Sequence, residues 1–286
     1  MAGEIKGVED VFKDRGIQIQ KFFMDTKRKT DLEWKQQAAA NAIMKIEEVK
    51  PDLVIVFDDD ACEFVAKKYI GKDLPIVFSG LNGEPEEFGF PAKNITGVLE
   101  RHLHEQTINL LKSLVPSVKT AAIMMDNSTT AQRYIVEMKK SSWPIQILEY
   151  YATDDFDAWK AKVKELQSRV DAIGIFTYQT IKEKGQGASL PEEDVMKWTV
   201  ENSQLPEFTF SDFGVKEGAL CGVTQSGYEQ GKAAAEIAVR ILNGETPGDI
   251  PIQTPQKGVP IVNETRAKQL NIKIPADVLK EVETMR

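Results

Sequence analysis

Three consecutive aspartates, Asp58, Asp59 and Asp60, directly follow the apolar run LVIVF at residues 53–57. Carboxylates at this position can pair with the unbonded N–H groups of a helix that begins there, and they suit the positive end of its dipole. They can equally bind the ammonium group of a ligand. The run lacks the spacing of an EF-hand calcium loop, which needs a glycine at the sixth position and a glutamate at the twelfth. Helix capping and ligand binding both stay open.

Other reactive side chains do not assemble into a catalytic set. His102 and His104 would share one face of an extended strand, but no third metal ligand accompanies them. They lie near the proposed crossing between the lobes, so we expect a solvated hinge or cleft-rim position. Cys62 and Cys221 are interpreted as buried hydrophobic residues. The chain has no G-x-S-x-G motif, and its glycine-rich loop KEKGQGAS lacks the GK[ST] ending of a phosphate-binding loop. We therefore expect no enzyme activity, no metal and no cofactor.

The aspartates lie inside a predicted βαβ unit. Residues 53–57 and 74–78 are apolar and rich in β-branched side chains, as in parallel strands buried on both faces, and residues 63–70 between them have helical spacing. Ligands of open parallel sheets bind beyond the carboxyl ends of the strands. The loops at residues 58–61 and 79–82 are therefore the first candidates for a site.

Composition excludes several classes of protein. The 286 residues are 42% hydrophobic and 28% charged, which is enough for two domains of ordinary size. The net charge of −8 and the absence of a basic stripe argue against a nucleic-acid partner. No apolar run is long enough to span a bilayer, and the first residues, MAGEIKGVEDVFKDRG, do not form a signal peptide.

Strands and helices alternate along most of the chain. The predicted helices cover residues 2–15, 32–49, 106–114, 131–140, 156–169, 191–202 and 228–242, with a short one at the end. Further strands are predicted at residues 17–24, 95–99, 120–125, 144–151, 171–176, 206–210 and 219–223. This pattern predicts an α/β protein with two doubly wound, parallel-sheet lobes. We expect lobe 1 to hold residues 1–100 and about 225–250, lobe 2 residues 101–224, and residues 251–286 a crossing strand and tail helix.

Several segments in this order resemble a known family. They are residues 52–82 with their DDDA turn and LPIVFSGLN, NITGV at residues 94–98, SGYEQGKAAAEIAVRILNGETPGDIPI at 226–252 and VNETRAKQLNIKIPADVL at 262–279. Together they are similar to the type I periplasmic binding proteins that serve bacterial ABC importers, in a branch whose members are mostly uncharacterised, with a few linked to aromatic amino acids. The resemblance implies two lobes that close on a ligand, a membrane permease as partner, an extracytoplasmic location and no chemistry on the ligand.

The chain departs from that family at its start. Family members normally have a signal peptide and then a first strand in the middle of the first sheet, whereas this sequence begins at the helix that follows it. We expect the chain to pair with a second copy of itself, or to exchange a strand with it, at such a gap. Backbone groups left unpaired in a buried sheet are costly.

The binding-protein interpretation assigns ligand contacts to the loops after the strands. The candidates are Asp58, Asp59, Asp60, Ala61, Ser79, Gly80 and Asn82 in the first lobe, and Asn127, Ser128, Thr129, Tyr178, Gln179, Asp212 and Phe213 in the second. The carboxylates would bind an ammonium group, the hydroxyls and helix N–H groups a carboxylate, and the rings an apolar part. Tyr178 and Phe213 are also compatible with a purely structural role in the core.

The sequence predicts a solute-binding protein for a small polar or amphipathic ligand, with an amino acid or another amine preferred. A sensory receptor domain of the same fold is the alternative. A cytoplasmic regulator of similar fold would need an N-terminal helix-turn-helix, which the sequence lacks.

Overall fold

The computed structural model describes residues 2–26, 29, 31–185 and 188–285. The chain forms two compact units: unit 1 comprises Met1–Arg101 and Ser226–Lys257, and unit 2 comprises His102–Gln225 and Gly258–Arg286. The backbone therefore passes between the units after residues 101, 225 and 257.

The helices follow the periodic segments of the sequence closely. They are α1 (Ala2–Phe12), α2 (Leu32–Val49), α3 (Asp58–Phe64), α4 (His104–Leu114), α5 (Thr129–Lys140), α6 (Phe156–Leu166), α7 (Glu192–Asn202), α8 (Asp212–Lys216), α9 (Gly227–Leu242) and α10 (Glu264–Gln269). The strands are β1 (Val54–Phe57), β2 (Ile76–Leu81), β3 (Ile95–Leu99), β4 (Thr120–Met125), β5 (Gln146–Ala152), β6 (Ala172–Ile175), β7 (Glu207–Thr209), β8 (Cys221–Gln225), β9 (Gly258–Asn263) and β10 (Glu283–Met285).

Unit 1 is built on a parallel sheet in the order β1-β2-β3. The middle strand is fully buried because helices cover both faces: Phe78 packs into one hydrophobic cluster and its neighbour Val77 into another. Beyond β3, the backbone of Gln253 bonds to Gly97 and Leu99, which closes that edge. Among the described residues no strand pairs with the other edge of β1.

Helices α1 and α9 pack closely on one face of this sheet because glycines face each other. A Cβ atom built on Gly231 would lie 1.9 Å from the carbonyl oxygen of Glu4, and one built on Gly7 would lie 2.2 Å from that of Tyr228. Any larger residue would force the helices apart. Helix α1 thus packs against α9, which lies more than 200 residues later in the chain.

The strand predicted at residues 17–24 is wrong. These residues have no regular structure, and Phe22 and Phe23 are 48% and 63% exposed. Ile17 and Met24 at the two ends pack against the clusters on opposite faces of the sheet. An alternating pattern becomes a strand only where another strand pairs with it, and no pairing involves this segment among the described residues.

Unit 2 contains a larger sheet in the order β10-β9-β8-β7-β6-β4-β5. Its strands run parallel except for the antiparallel pair β8 and β9. The predicted α/β class with parallel sheets is confirmed. The expected terminal helix is only the short turn Val278–Lys280, and strand β10 follows it. A first strand missing from unit 1 stays an expectation.

A buried ion pair joins α10 to β7 in unit 2. The Arg266 guanidinium on α10 donates to both carboxylate oxygens of Glu207 on β7, at 2.6 and 2.9 Å, and also to the Ser203 carbonyl oxygen. The two side chains are only 5% and 0% exposed. Burial raises the pKa of Glu207, and the guanidinium opposes that shift. The charge on Glu207 is tolerated because Arg266 compensates it.

Both cysteines are buried, as expected: Cys62 and Cys221 are fully inaccessible. Burial raises the pKa of both thiols, so neither is a ready nucleophile.

Candidate functional site

The aspartate run occupies the first turn of α3, directly after β1. Phe57 is the N-cap residue, so none of the three carboxylates caps the helix in the strict sense. The backbone of Asp58 has a positive φ of 69°, a conformation that aspartate tolerates better than most residues. Sequence reasoning located these side chains correctly at the carboxyl end of a strand. Ala61 lies in the next turn and is half-buried.

Asp59 and Asp60 bind other parts of unit 1. Asp59 Oδ1 accepts the backbone N–H groups of Asn82 (3.1 Å) and Gly83 (2.9 Å), and its Oδ2 accepts the amide of Asn82 (3.3 Å). Asp60 accepts the ammonium of Lys35 on α2 at 2.9 Å. The structure therefore joins the loop after β1 to the loop after β2, as parallel strand ends require. Ligand binding by the run stays a prediction.

The end of β2 and the turn that follows it carry the next candidates; we refer to residues 80–84 as loop 80–84. Gly80 has a φ of 70° and interrupts the pairing of β2 with β3. The Asn82 amide donates to the Gly80 carbonyl oxygen and to Glu100 Oε2 as well as to Asp59. Ser79 is fully buried, and its hydroxyl has no hydrogen-bond partner among the described residues. Of these candidates, Asn82 is the one that connects several loops.

Arg101 fixes the same loop from its other side. Its Nη1 donates to the carbonyl oxygens of Leu81 (3.1 Å), Asn82 (3.0 Å) and Glu100 (2.9 Å), and its Nη2 donates to that of Gly83 at 3.3 Å. A guanidinium suits this position because its fixed fork of N–H groups can serve several acceptors at once.

In unit 2 the strand-end loops are joined through two carboxylates. Asp126, which follows β4 and is only 1% exposed, accepts hydrogen bonds through Oδ1 from the Ser128 hydroxyl (2.7 Å) and the Thr177 hydroxyl (2.9 Å). Its Oδ2 accepts the backbone N–H of Thr180 at 3.1 Å. Loop 126–128 after β4 and loop 176–180 after β6 are therefore held together.

Asp154, after β5, adds the third loop of this edge. Its Oδ1 accepts the backbone N–H of Asn127 at 2.8 Å and the hydroxyl of Thr180 at 2.7 Å. Ser128 caps α5 by accepting the N–H of Ala131 at 3.2 Å, and Thr129 is the first residue of that helix. The predicted candidates Asn127, Ser128 and Thr129 thus sit at a helix N-terminus in a rigid turn.

The predicted aromatic contacts of unit 2 are further from the surface. Tyr178 is fully buried, and its hydroxyl donates to Glu217 Oε2 at 2.5 Å. Burial and this carboxylate raise the pKa of Tyr178. Its ring packs near that of Phe213, 6.0 Å away between centroids. Within unit 2, Tyr178 therefore occupies a position in the core, which is the structural role that the sequence left open.

The remaining candidates are Gln179, in the turn after β6, and Asp212, the first residue of α8. Gln179 follows Tyr178 and accepts its backbone N–H at 3.0 Å. Asp212 begins α8 and pairs with Lys216 one turn later, while Ser211 caps this helix by accepting the N–H of Gly214. All candidates of unit 2 therefore follow β4, β6 or β7 at the carboxyl edge of the sheet.

The histidines lie next to a crossing between the units, since His102 is the first residue of unit 2, but they are half-buried and not well solvated as expected. His104 begins α4, its ring stacks on Trp143 at 4.5 Å, and its Nε2 is buried without a hydrogen-bond partner among the described residues. Together with His102, Tyr134, Phe176 and Phe210 these rings form one aromatic cluster in unit 2. Burial lowers the pKa of His104 to about 4. The pattern RHLH could not reveal this, because the other rings come from distant parts of the chain.

Within the described residues, no group of three or more His, Cys, Asp or Glu side chains is arranged to hold a metal ion. No helix in the same part of the chain combines the length and apolarity needed to cross a membrane.

Sequence reasoning missed Arg101, Asp126 and Asp154. Each is a charged residue within two positions of a strand end, and that placement was the available signal. Their partners are mostly backbone groups, which a sequence does not display.

Comparisons with known proteins cover nearly the whole chain. Residues 1–285 match the family described as ABC transporter substrate binding protein. A tyrosine-binding protein of Clostridioides difficile (strain R20291) is 25% identical over 297 residues, covering 99% of this chain and 79% of that protein.

Solved structures show the same fold. One is the ligand-free, open form of a substrate-binding protein with adhesive properties from Clostridium difficile, with a TM-score of 0.74, 20% identity, and coverage of 100% of this chain and 94% of that one. Another is an ABC domain from Streptococcus pneumoniae in complex with L-Trp, with a TM-score of 0.61, 23% identity, and coverage of 99% and 96%.

Proposed function

The chain belongs to the family of ABC transporter substrate-binding proteins, and from this premise we propose that it binds an amino acid for import through a membrane permease. The whole-chain family match carries the proposal. Two units whose strand-end loops hold polar side chains support it, because ligands of open α/β sheets bind there. We propose that the two units close around the ligand by a hinge motion, outside the cytoplasm.

We favour an aromatic amino acid as the ligand. Two of the proteins similar to this chain are described as binding tyrosine and L-Trp. In this chain, the carboxylates of Asp58 to Asp60 at the edge of unit 1 would attract the ligand ammonium group. The N-terminus of α5, with Asn127, Ser128 and Thr129, would receive the ligand carboxylate, since N–H groups and the helix dipole favour an anion there.

The remaining predicted contacts complete the proposed site. They are Ala61, Ser79, Gly80, Asn82, Tyr178, Gln179, Asp212 and Phe213, all near strand ends. Residues with structural partners, such as Asn82, would act mainly by shaping the loops. Phe213, which is half-buried, would offer an apolar surface.

A thermal-shift screen tests the proposal. L-Tyrosine, L-tryptophan, sugars, nucleosides and polyamines are added to the purified chain, because a ligand at 100 times its dissociation constant stabilises the folded state by about 2.7 kcal/mol. We expect L-tyrosine or L-tryptophan to raise the melting temperature, whereas N-acetyl-L-tyrosine, which has no ammonium group, should not. No shift with any amino acid would refute the ligand class, and an equal shift with the N-acetyl compound would refute ammonium recognition.

The alternative of a sensory domain predicts the same ligand. The two roles differ in the partner, so the ligand-loaded chain would be tested for binding to the permease in detergent and for ATP hydrolysis stimulated in the assembled transporter. Ligand binding without any effect on a transporter would favour the sensory role.

We also propose that unit 1 pairs with a second copy through the open edge of β1. Val54–Phe57 is apolar, has no proline, and in the described part of the chain bonds to a neighbour on one edge alone. Such edges readily accept another strand. Light scattering after size exclusion should show a dimer, and the substitution Ile55→Lys should dissociate it. A wild-type chain that stays monomeric at high concentration would overturn this.

A further inference from the structure

Arg101 is the last residue of unit 1 before the backbone enters unit 2. Its guanidinium also bonds to four successive residues of loop 80–84, at the end of the central strand β2: the carbonyl oxygens of residues 81–83 and the carboxylate of Glu84. From these two facts we infer that Arg101 is a positioning residue: it holds loop 80–84 in its ligand-ready form and links it to the segment through which the chain leaves unit 1. This inference rests on the proposed binding function.

The geometry of the guanidinium carries the argument. Four of its acceptors are backbone carbonyl oxygens, those of residues 81, 82, 83 and 100, at 2.9 to 3.3 Å. The fifth is the Glu84 carboxylate at 3.4 Å. Three successive carbonyl groups that point to one place repel each other unless a cation lies between them, because their dipoles are aligned. Arg101 supplies that cation from within the chain.

The other side of the loop is held by groups of opposite character. Its N–H groups at Asn82 and Gly83 point to the Asp59 carboxylate, while its carbonyl groups point to Arg101. The Asn82 side chain in turn reaches Glu100, the residue before Arg101. Both hydrogen-bonding edges of the loop are therefore used, and removal of Arg101 frees one of them.

If loop 80–84 moves more freely without Arg101, the observed affinity for the ligand should fall. Observed affinity falls in proportion to the fraction of molecules in the binding-competent form. A loop that keeps its bound arrangement for about a tenth of the time binds about tenfold more weakly. Lysine would not replace arginine here, because an ammonium group is a compact point charge with three donors and lacks the rigid fork of N–H groups that reaches these four carbonyl oxygens.

The test compares Arg101→Ala, Arg101→Lys and the control Arg240→Ala. Arg240 lies on α9 in the same unit, its side chain is 42% exposed, and its guanidinium pairs with Glu245. L-Tyrosine and L-tryptophan affinities are measured by calorimetry. Hydrogen exchange is measured at the amides of Asn82 and Gly83, with those of Val77 and Ile95 in the sheet as reference.

We expect both Arg101 variants to bind about tenfold more weakly and to exchange faster at Asn82 and Gly83, with the reference amides unchanged. Methylguanidinium chloride should restore affinity to Arg101→Ala and have no effect on Arg240→Ala. Unchanged affinity and exchange in Arg101→Ala would overturn the inference. Faster exchange at the reference amides as well would overturn it too, because Arg101 would then stabilise the whole unit.

The two proposals fail separately in this design. If the wild-type chain binds neither amino acid, the proposed ligand is wrong. Hydrogen exchange of the loop needs no ligand and still decides whether Arg101 positions it.

Discussion

Replacing His104 with phenylalanine tests how the aromatic cluster of unit 2 responds to acid. The imidazole stacks on Trp143 with 4.5 Å between centroids and 19° between planes, and it meets the edge of Phe210 at 5.0 Å. Phenylalanine keeps the ring and its stacking but cannot take up a proton. The neighbouring titratable rings of the cluster are His102 and Tyr134.

The magnitude follows from the two pKa values. Burial lowers the pKa of His104 from an ordinary 6.5 to about 4 in the folded chain, a difference of about 2.5. Above pH 6.5 the imidazole is neutral in both states, so its contribution to stability is complete. As the pH falls from 6.5 to 4 the unfolded chain alone takes up the proton, and the folded state loses about 3 kcal/mol, of which about 2 kcal/mol is lost by pH 5. Below pH 4 both states are protonated and the loss stops.

Urea unfolding of the wild type and His104→Phe at pH 7, 6, 5 and 4 measures this effect. The difference in unfolding free energy between the two proteins should shift by about 3 kcal/mol in favour of the variant across this range. Carboxylates contribute equally to both proteins and cancel. Because the chain holds two histidines, NMR of the imidazole protons gives an independent value. Parallel pH profiles, or a His104 that titrates near 6.5 in the folded chain, would refute the reasoning.

Three further predictions concern the framework. Arg266→Met should cost about 3–5 kcal/mol in a urea titration, because it leaves Glu207 buried without its cation, and the additional change Glu207→Leu should recover most of it; a single variant as stable as wild type would contradict this. Gly231→Ala should cost about 1–3 kcal/mol by overpacking α1 against α9. It should cost more than Gly3→Ala, because a Cβ on Gly3 would lie 3.2 Å from its nearest neighbour, the backbone nitrogen of Tyr228. Equal costs would argue against close packing. Asp126→Asn should weaken amino-acid binding without unfolding the chain, since an amide cannot accept on both sides; calorimetry that shows unchanged affinity would contradict the role of Asp126 in holding the two loops.

Much of the fold could be predicted from the sequence because its elements are set by local patterns. Helix α2 begins and ends where the helix predicted from the sequence at residues 32–49 does. Strand β4 coincides with the apolar run TAAIMM. Residues 17–24 show the limit of this approach, since their alternation is compatible with a strand, but a strand also needs a neighbour. In the described part of the chain no strand pairs with residues 17–24, so they do not form a strand.

The site was predictable only as a location. Parallel strands end at one edge, so the loops holding Asp58 and Asn127 could be expected to carry function. Which residues face a ligand and which hold the loops could not be derived, because that depends on contacts between distant segments. Asp59 illustrates this: its neighbours in sequence indicate a free acidic turn, yet both its oxygens bond to residues 82 and 83.

The charges of the residues that hold the loops follow from the backbone groups they meet. Loop 80–84 turns carbonyl oxygens towards residue 101, and a guanidinium occupies that place. Loops 126–128 and 176–180 turn N–H groups and hydroxyls towards residues 126 and 154, and carboxylates occupy those places. A carboxylate at 101 would face four carbonyl dipoles, and an amine at 126 would face four donors. Both reversals should therefore disorder the loops far more than neutral substitutions do, although the net charge of the chain would change little.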